Sequence, residues 1–200
     1  MLKTGLKPSE IRKKAIELAE IRISKHGFAK IRLIDVAKDI GISHAALYQH
    51  FSDRSSLLEA VTEKWLLLID TELEKVSKKK GNPLDLIVNW FITLHRLKKK
   101  KVSLDPELYK AFDSAVESRK PCIVEHLKNS KIQLTFLVER AISEGMMQDV
   151  TAGKVVEICF LSTVYFHHPK LVANNLHLNQ ENLLKEILKL VLDGLKIEKR

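Results

Sequence analysis

The sequence predicts an all-α protein of about nine helices. Apolar residues make up 45% of the 200-residue chain, and they recur at helical spacing almost throughout, with no segment of convincing alternation. Gly and Pro number only 7 and 5, too few for an all-β chain with a turn in roughly every ten residues. Apolar runs such as 65–69 are far shorter than the ~20 residues of a membrane span. The first ten residues lack the apolar core of a secretory signal, so we expect a cytoplasmic protein.

Two short helices are predicted near the N-terminus, after a longer first helix. The first helix should open with Ser9 as its N-cap, because a hydroxyl oxygen can accept from the free N–H groups of the first turn. Gly27 should end this helix. The short helices then occupy Leu33–Ile40 and about His44–His50, with the tripeptide 41–43 between them.

Six longer helices are predicted in the rest of the chain. Asn82-Pro83 and Asp105-Pro106 each place a capping side chain before a proline that suits the first helical position. His168-Pro169 should break the eighth helix, and Asn179 should cap the ninth. The predicted spans run from after 53 to the lysine run 78–80, then 82–99, 105–117, 121–145, 151–168 and from 179 onward.

The segment 33–51 has the spacing of a helix-turn-helix. Gly41 can take a positive φ, which a tight turn between two short crossing helices requires. Ala37 supplies a small side chain where the helices cross, and Ser43 should cap the second helix and leave its N-terminus open to a phosphate. An ordinary helical hairpin is the alternative on spacing alone. The apolar positions that should hold the pair against the first helix are Val36, Ile40, Ile42 and Leu47.

Charge is concentrated in the same region. Residues 1–56 contain 11 Lys and Arg against 6 Asp and Glu, a net of +5 out of +9 for the chain. This excess favours a polyanion as partner, although lysine-rich surfaces also serve solubility alone.

From Ile11 to about Trp65 the chain resembles the DNA-binding domain of TetR-family transcriptional regulators. The motifs that carry the resemblance are Gly27-Phe28, Ile34–Ala37, Gly41–Ser43, Leu47–Phe51, and Arg54 with Leu57-Leu58. The resemblance implies a helix-turn-helix DNA-binding domain over residues 1–56. It also implies a C-terminal helical dimerisation and effector-binding domain over residues 57–200, joined to the first by the long fourth helix.

The resemblance implies that the second short helix enters the major groove of double-stranded DNA. His44, Ala45 and Gln49 are the candidates for base contact, since Gln can bond adenine and an alanine methyl can meet a thymine methyl. Tyr48 could instead pack in the core, because its ring is apolar and only its tip is polar. The candidates for contact with phosphates are Ser43, Tyr48, His50 and Arg54.

Two positions depart from the family pattern. Arg32 stands where the family commonly has a capping threonine, so that cap should be lost or shifted, and Arg32 becomes a candidate for a phosphate contact. Ala46 replaces a frequent threonine or serine. Four basic residues could form an arm near the minor groove, with a solvated basic face as the alternative. These four residues are Lys3, Lys7, Arg12 and Lys13.

The C-terminal region is expected to form a homodimer and to bind a small molecule, because one helix-turn-helix reads only half of an inverted-repeat operator. In both cases ordinary core packing is the alternative. The predicted dimer interface is Leu183, Ile187, Leu188, Val191 and Leu195. The predicted effector-pocket residues are Trp90, His95, Tyr109, Phe112, Phe136, Phe160 and Tyr165.

The sequence predicts no catalytic site, metal or cofactor. It lacks a nucleophile elbow and a phosphate-binding glycine loop, and His167, His168 and His177 have no regular ligand spacing. Cys122 and Cys159 should be buried thiols. The leading hypothesis is therefore a dimeric repressor that a small-molecule effector releases from its operator. The alternative is a helix-turn-helix regulator that activates, or that acts through protein partners without a ligand.

Overall fold

The structure is a computed structural model, and it describes residues 5–147 and 151–195. Within these ranges the chain forms eleven α-helices, a single 3₁₀ turn and no strand, which confirms the all-α prediction but exceeds the nine helices expected. The helices are α1 Pro8–His26, α2 Leu33–Ile40, α3 His44–Tyr48, α4 Arg54–Ser77, α5 Pro83–Leu104, α6 Pro106–Glu117, α7 Pro121–Ser143, α8 Ala152–Ser162, α9 Val164–His167, α10 Pro169–Asn174 and α11 Glu181–Asp193, and the 3₁₀ turn is Phe28–Lys30. No helix in the described ranges is both long enough and apolar enough to cross a membrane.

The capping predictions are confirmed at α5 and α6 and wrong at α1. The Asn82 Oδ1 accepts from the Leu84 N–H at 2.8 Å, and the Asp105 Oδ1 accepts from the Leu108 N–H at 3.1 Å. The first helix instead opens at Pro8, whose missing N–H costs nothing at the first helical position. Lys7 takes the N-cap position in place of Ser9, and its N–H donates to the Glu10 carboxylate at 2.7 Å.

One of the two extra helices comes from the division of the helix predicted over 151–168, and the other is α10, which follows it. Thr163 has φ −112° and ψ 9°, which interrupts the helix between α8 and α9. Its hydroxyl donates to the Cys159 carbonyl at 2.6 Å, a side-chain bond that competes with the helical pattern. The predicted break at His168-Pro169 is present, because His168 is extended with ψ 130°, and Pro169 then opens the short α10. The last helix begins one residue later than expected, with Gln180 rather than Asn179 at its N-cap.

The chain divides into two compact units. Unit 1 contains residues 1–66 and 104–123, and unit 2 contains residues 67–103 and 124–200. Helix α6 therefore belongs to the same unit as α1, α2 and α3, although it follows α5 in the chain. The division into domains after residue 56 stays a prediction.

The core of unit 1 joins α1, α2 and α3 to the start of α4 and to α6. Ala15, Ala19 and Ile23 of α1 lie at helical spacing and are fully buried in this core. The expected inward residues of α2 and α3 are buried as well, and Ile42 is partly buried against them. The central members of this core are Ala15, Ala19, Ile23, Val36, Ala37, Leu47, Phe51, Leu57, Leu108 and Ala111.

The core of unit 2 is rich in large side chains. Trp90 and Phe91 of α5 lie 5.1 Å apart between ring centroids, and Phe160 of α8 lies 6.0 Å from Trp90 and 5.4 Å from Phe91. All three pairs have the edge-to-face arrangement that aromatic quadrupoles favour. Helix α11 packs on α8 and contributes a stripe of buried leucines to this unit.

Candidate nucleic-acid interface

The turn between α2 and α3 depends on the backbone of Gly41. This residue has φ +84° and ψ +31°, a left-handed conformation that disfavours residues with a Cβ, as the sequence predicted. Its N–H donates to the carbonyls of Ala37 and Lys38, each at 3.1 Å, and the Ile42 N–H donates to the Ala37 carbonyl at 3.1 Å. These bonds satisfy the last carbonyls of α2 and turn the chain sharply toward α3.

Helix α3 is fixed by a cap at its N-terminus and by buried side chains at its C-terminal end. The Ser43 Oγ accepts from the Ala46 N–H at 3.1 Å, which confirms the predicted cap. Leu47 is fully buried in the core of unit 1, and Phe51 just beyond the helix is buried as well. One face of this five-residue helix is therefore fixed, and the opposite face has to point to solvent.

The exposed face of α3 carries the predicted base-reading residues. His44, Ala45, Tyr48 and Gln49 are all exposed, and His50 is half-buried. Tyr48 is 45% exposed, so the alternative that it packs in the core is wrong. Its ring lies 4.4 Å from that of His44 in an edge-to-face contact. The face thus presents an imidazole, a methyl, a phenol and an amide within one and a half helical turns.

Arg54 is bound within unit 1. Its Nη2 donates to the Phe28 carbonyl at 2.7 Å and its Nε donates to the Ile31 carbonyl at 3.2 Å. The guanidinium also lies 4.9 Å from the centroid of the Phe28 ring, a cation–π distance. Arg54 therefore joins the first turn of α4 to the loop before α2. Sequence reasoning missed this role because both acceptors are backbone carbonyls, which leave no trace in residue types.

Arg32 does not cap α2, in agreement with its departure from the family pattern. Its side chain donates from Nε and Nη2 to the Asp35 carboxylate at 2.7 and 3.1 Å. This pairing lowers the pKa of Asp35, chiefly through the hydrogen bond from Arg32. Arg22 holds Asp39 in the same two-point manner, at 2.5 and 2.9 Å, and lowers its pKa. The two acidic residues of α2 are thus each paired with an arginine.

The proposed basic arm falls only partly within the described residues, because Lys3 lies outside them. Lys7 and Lys13 are exposed. The Arg12 guanidinium lies 5.0 Å from the centroid of the Phe51 ring, and one of its nitrogens is 3.9 Å from the Glu63 carboxylate. Arg12 therefore packs against unit 1 through its guanidinium.

The predicted effector-pocket residues belong to both units. Tyr109 and Phe112 pack against Trp65 in unit 1, with ring centroids 5.9 and 4.9 Å from it. The other five lie in unit 2, where Trp90 and Phe160 contribute to the aromatic core. His95 is buried there, Tyr165 is half-buried, and Phe136 is 47% exposed. Whether any of the seven binds a ligand stays a prediction.

The predicted dimer residues on α11 do not share one environment. Leu188 lies on the same face of α11 as Leu184 and Leu192, and all three are buried inside unit 2. Leu188 is therefore not available to a partner subunit, and its assignment to the dimer interface was wrong. Leu183 is 46% exposed, and Leu190, which sequence reasoning left out, is 74% exposed. The other three predicted residues are half-buried, namely Ile187, Val191 and Leu195.

Unit 2 also contains buried polar groups that sequence reasoning did not identify. The His126 Nδ1 contacts the Asp70 carboxylate, and the Trp90 Nε1 donates to the Gln133 Oε1 at 2.9 Å. Lys98 on α5 is buried, and its Nζ donates to the His167 carbonyl at 2.7 Å. Burial lowers the pKa of Lys98 to about 7. Lys98 opens a run of four lysines, and only its helical spacing from Leu94 and Val102, which are both buried, could have indicated its burial.

Cys122 and Cys159 are free and buried, as predicted, and burial raises the pKa of each thiol, to about 11 and about 12. Within the ranges that the structure describes, no three His, Cys, Asp or Glu side chains are placed so that they could hold a metal ion.

An all-α fold with an exposed, capped recognition helix behind a glycine turn defines a helix-turn-helix protein. A family model described as bacterial regulatory proteins, tetR family, matches residues 15–61. A second, described as tetracyclin repressor-like, C-terminal domain, matches residues 83–188, more than half of the chain. The chain belongs to the TetR family of bacterial regulatory proteins, which is a family of regulators rather than of enzymes.

Two curated relatives match part of the chain. The HTH-type transcriptional regulator AcrR of Shigella flexneri is 31% identical over 86 residues, which cover 42% of this chain and 40% of AcrR. The nucleoid occlusion factor SlmA of Aliivibrio fischeri strain MJ11 is 41% identical over 46 residues, 23% of this chain and 24% of SlmA. The chain thus spans less than half the length of these relatives.

Solved structures match over nearly the whole chain. SmeT, described as the repressor of the Stenotrophomonas maltophilia multidrug efflux pump SmeDEF, gives a TM-score of 0.67 at 18% identity, over 98% of this chain and 93% of SmeT. RolR in complex with the ligand resorcinol gives 0.65 at 15% identity, over 95% of this chain and 89% of RolR. At these identities the similarity establishes the fold.

Proposed function

We propose that this TetR-family regulator is a homodimeric repressor in the cytoplasm, which binds an inverted-repeat operator through α3 and leaves it when a small-molecule effector binds. The observation that carries the proposal is the geometry of α3. Its inward side chain Leu47 and its Ser43 cap fix the helix, while His44, Ala45 and Gln49 stay exposed. A rigid, exposed helix N-terminus of this kind can enter a major groove and meet base edges.

Gln49 is the residue proposed to read an adenine, since its amide can donate to N7 and accept from the N6 amino group. The Gln49→Ala variant should relax preference at one base position in each half-site and leave affinity for random DNA within about twofold. Binding-site selection on the wild type and the variant tests this. An unchanged selected motif would remove Gln49 from base reading.

Arg32 and Arg54 are proposed to contact phosphates, and they differ in their present partners. The Arg32 side chain is 71% exposed and pairs with the Asp35 carboxylate, whereas Arg54 donates to two backbone carbonyls of unit 1. Each phosphate contact that is lost should flatten the dependence of log affinity on log salt by about 0.9. Arg32→Ala and Arg54→Ala, measured at four salt concentrations, report the two contacts separately. A slope equal to that of the wild type excludes the substituted arginine.

The homodimer is proposed to use the apolar residues of α11 that are not fully buried, together with Leu195 just beyond the helix. Those of α11 are Leu183, Ile187 and Val191 as predicted and Leu190 in addition. A wide apolar face on a terminal helix is typical of four-helix-bundle dimers. Light scattering should give twice the monomer mass for the wild type. Leu190→Glu should shift the protein to the monomer, whereas Lys189→Glu on the exposed side of the same helix should not. Equal masses for both variants would place the interface elsewhere.

The effector part of the proposal is supported by the fold neighbours, because RolR is described in complex with resorcinol and SmeT in complex with triclosan. An effector that binds better to the conformer with low operator affinity would shift the population away from DNA. Operator release in the presence of a bound small molecule tests this. The alternative, a regulator that acts through activation or protein partners, predicts operator binding that no bound small molecule changes.

A further inference from the structure

Unit 2 contains a groove of about 550 Å³ between α7 on one side and α8 with α9 on the other. Its walls are mainly apolar, and several of the apolar residues stay well exposed, with Leu127 at 46%, Leu161 at 67% and Val164 at 43%. The volume lies within the range of about 300–1,000 Å³ of small-molecule sites. The residues that line the groove are Leu127, Lys131, Thr135, Gly153, Val156, Glu157, Phe160, Leu161, Val164 and His167.

The charges at this groove do not cancel. Glu157 is paired with Lys154, whose Nζ donates to its carboxylate at 3.0 Å. In the described part of the chain, Lys131 on the opposite wall has neither an ion pair nor a hydrogen bond from its side chain. Among the described residues that line this amphipathic groove, Lys131 is thus the cation that a ligand could pair with.

His167 lines the groove without adding a positive charge to it. The His167 Nε2 donates to the Phe160 carbonyl at 3.1 Å. Burial, and then the positive charge of Lys98, lower the pKa of His167 to about 3, with smaller contributions from His168 and His126. The imidazole is therefore neutral at physiological pH, so the charge at this groove comes from Lys131 and Glu157 among the described lining residues.

We propose that this groove binds a small molecule with an apolar body and a single carboxylate, which pairs with Lys131 while the body lies along Leu127, Phe160 and Leu161. This inference rests on the proposed effector-responsive function and supplies the chemistry of the effector. Charge complementarity favours a small acid as the occupant, because its carboxylate can pair with the Lys131 ammonium on the groove wall.

The experiment compares two acids with the alcohols of the same skeleton, namely decanoate with decan-1-ol and naphthalene-2-carboxylate with naphthalen-2-ylmethanol. Calorimetric titration of the full-length chain should give affinities that are tighter for the acids by up to about fivefold, as expected for an ion pair with an exposed lysine. Lys131→Gln should abolish this preference. Lys128→Gln is the matched control, because Lys128 lies on the same helix outside the groove and pairs with Glu125 at 3.3 Å.

Three results would overturn the inference: equal binding of acid and alcohol, equal effects of Lys131→Gln and Lys128→Gln, or no binding of any of the four probes. Operator release is measured on the same samples and separates the two proposals. If the alcohols release DNA as well as the acids do, the effector-responsive function stands and the carboxylate assignment fails. If the acids bind through Lys131 and DNA stays bound, the site stands and its role as effector site fails.

Discussion

The α2–α3 surface of unit 1 and the groove of unit 2 differ in how their exposed residues are determined. In unit 1, the turn at Gly41, the cap at Ser43 and the buried Leu47 lie within seven residues of one another, and together they fix which side chains face solvent. In unit 2, Lys131 and His167 come from helices far apart in sequence. The exposed residues of α3 can therefore be predicted from the local sequence. The residues that line the groove of unit 2 depend on how distant helices pack, and cannot be predicted in this way.

The sharpest test of the first half of this comparison is the side chain that fixes α3. Leu47 is fully buried and Leu104 is 72% exposed, and both belong to unit 1. Leu47→Ala should lower the free energy of unfolding by about 3 kcal/mol, because it leaves a cavity in a packed core. Leu104→Ala should change it by less than about 0.5 kcal/mol. Urea denaturation followed by circular dichroism measures both values.

Operator affinity should follow the same order, with a large loss for Leu47→Ala and none for Leu104→Ala. A Leu47→Ala protein of unchanged stability would show that α3 is not held by its inward side chain. The comparison between the two units would then lose its basis.

The sequence predicted much of the fold and of the α3 surface for a physical reason that these residues illustrate. Caps such as Asn82 and Asp105, and a turn such as that at Gly41, depend on neighbours within four residues. The division into α8, α9 and α10 was missed for two reasons. A threonine within a helix does not always interrupt it as Thr163 does here, and a proline such as Pro169 can either end a helix or begin one. Arg54 was predicted only as a phosphate contact. Its bonds within unit 1 were missed because the two acceptor carbonyls lie in a loop 23 and 26 residues earlier in the chain.

Buried Lys98 tests the statement that packing determines the properties of residues in unit 2, because its lowered pKa is a consequence of burial alone. The pKa of Lys98 lies near 7 in the folded chain and near its ordinary value of 10.5 in the unfolded chain. Between these values the unfolded chain binds more protons, so the free energy of unfolding should rise with pH. The slope for one group reaches at most about 1.4 kcal/mol per pH unit, which gives about 2 kcal/mol between pH 7.5 and 9.

Lys98→Met should flatten this rise, whereas Lys100→Met, at an exposed position on the same helix, should keep it. Chemical denaturation at pH 7.5, 8.25 and 9 gives the three slopes. Identical slopes for Lys98→Met and the wild type would mean that Lys98 stays protonated in the fold, and the packing argument for unit 2 would fail.

Two tyrosines, one in each unit, provide the finest comparison. In the described structure the Tyr109 hydroxyl of unit 1 is buried without a hydrogen-bond partner, and burial, together with the nearby Asp113 carboxylate, raises the pKa of Tyr109. The Tyr165 hydroxyl of unit 2 accepts from the Gln180 Nε2 at 3.2 Å. A buried polar group without a partner costs about 1–3 kcal/mol, whereas a hydrogen bond made contributes about 1 kcal/mol.

Tyr109→Phe should therefore raise the free energy of unfolding by about 1 kcal/mol, and Tyr165→Phe should lower it by about 0.5 kcal/mol, within the same denaturation assay. The opposite signs matter more than the sizes, because both substitutions remove the same hydroxyl and leave the same ring. If Tyr109→Phe destabilises the protein as Tyr165→Phe does, the Tyr109 hydroxyl has a partner in solution, such as a bound water. The hydroxyls of Tyr109 in unit 1 and Tyr165 in unit 2 would then both be hydrogen-bonded, and the two units would not differ in this respect.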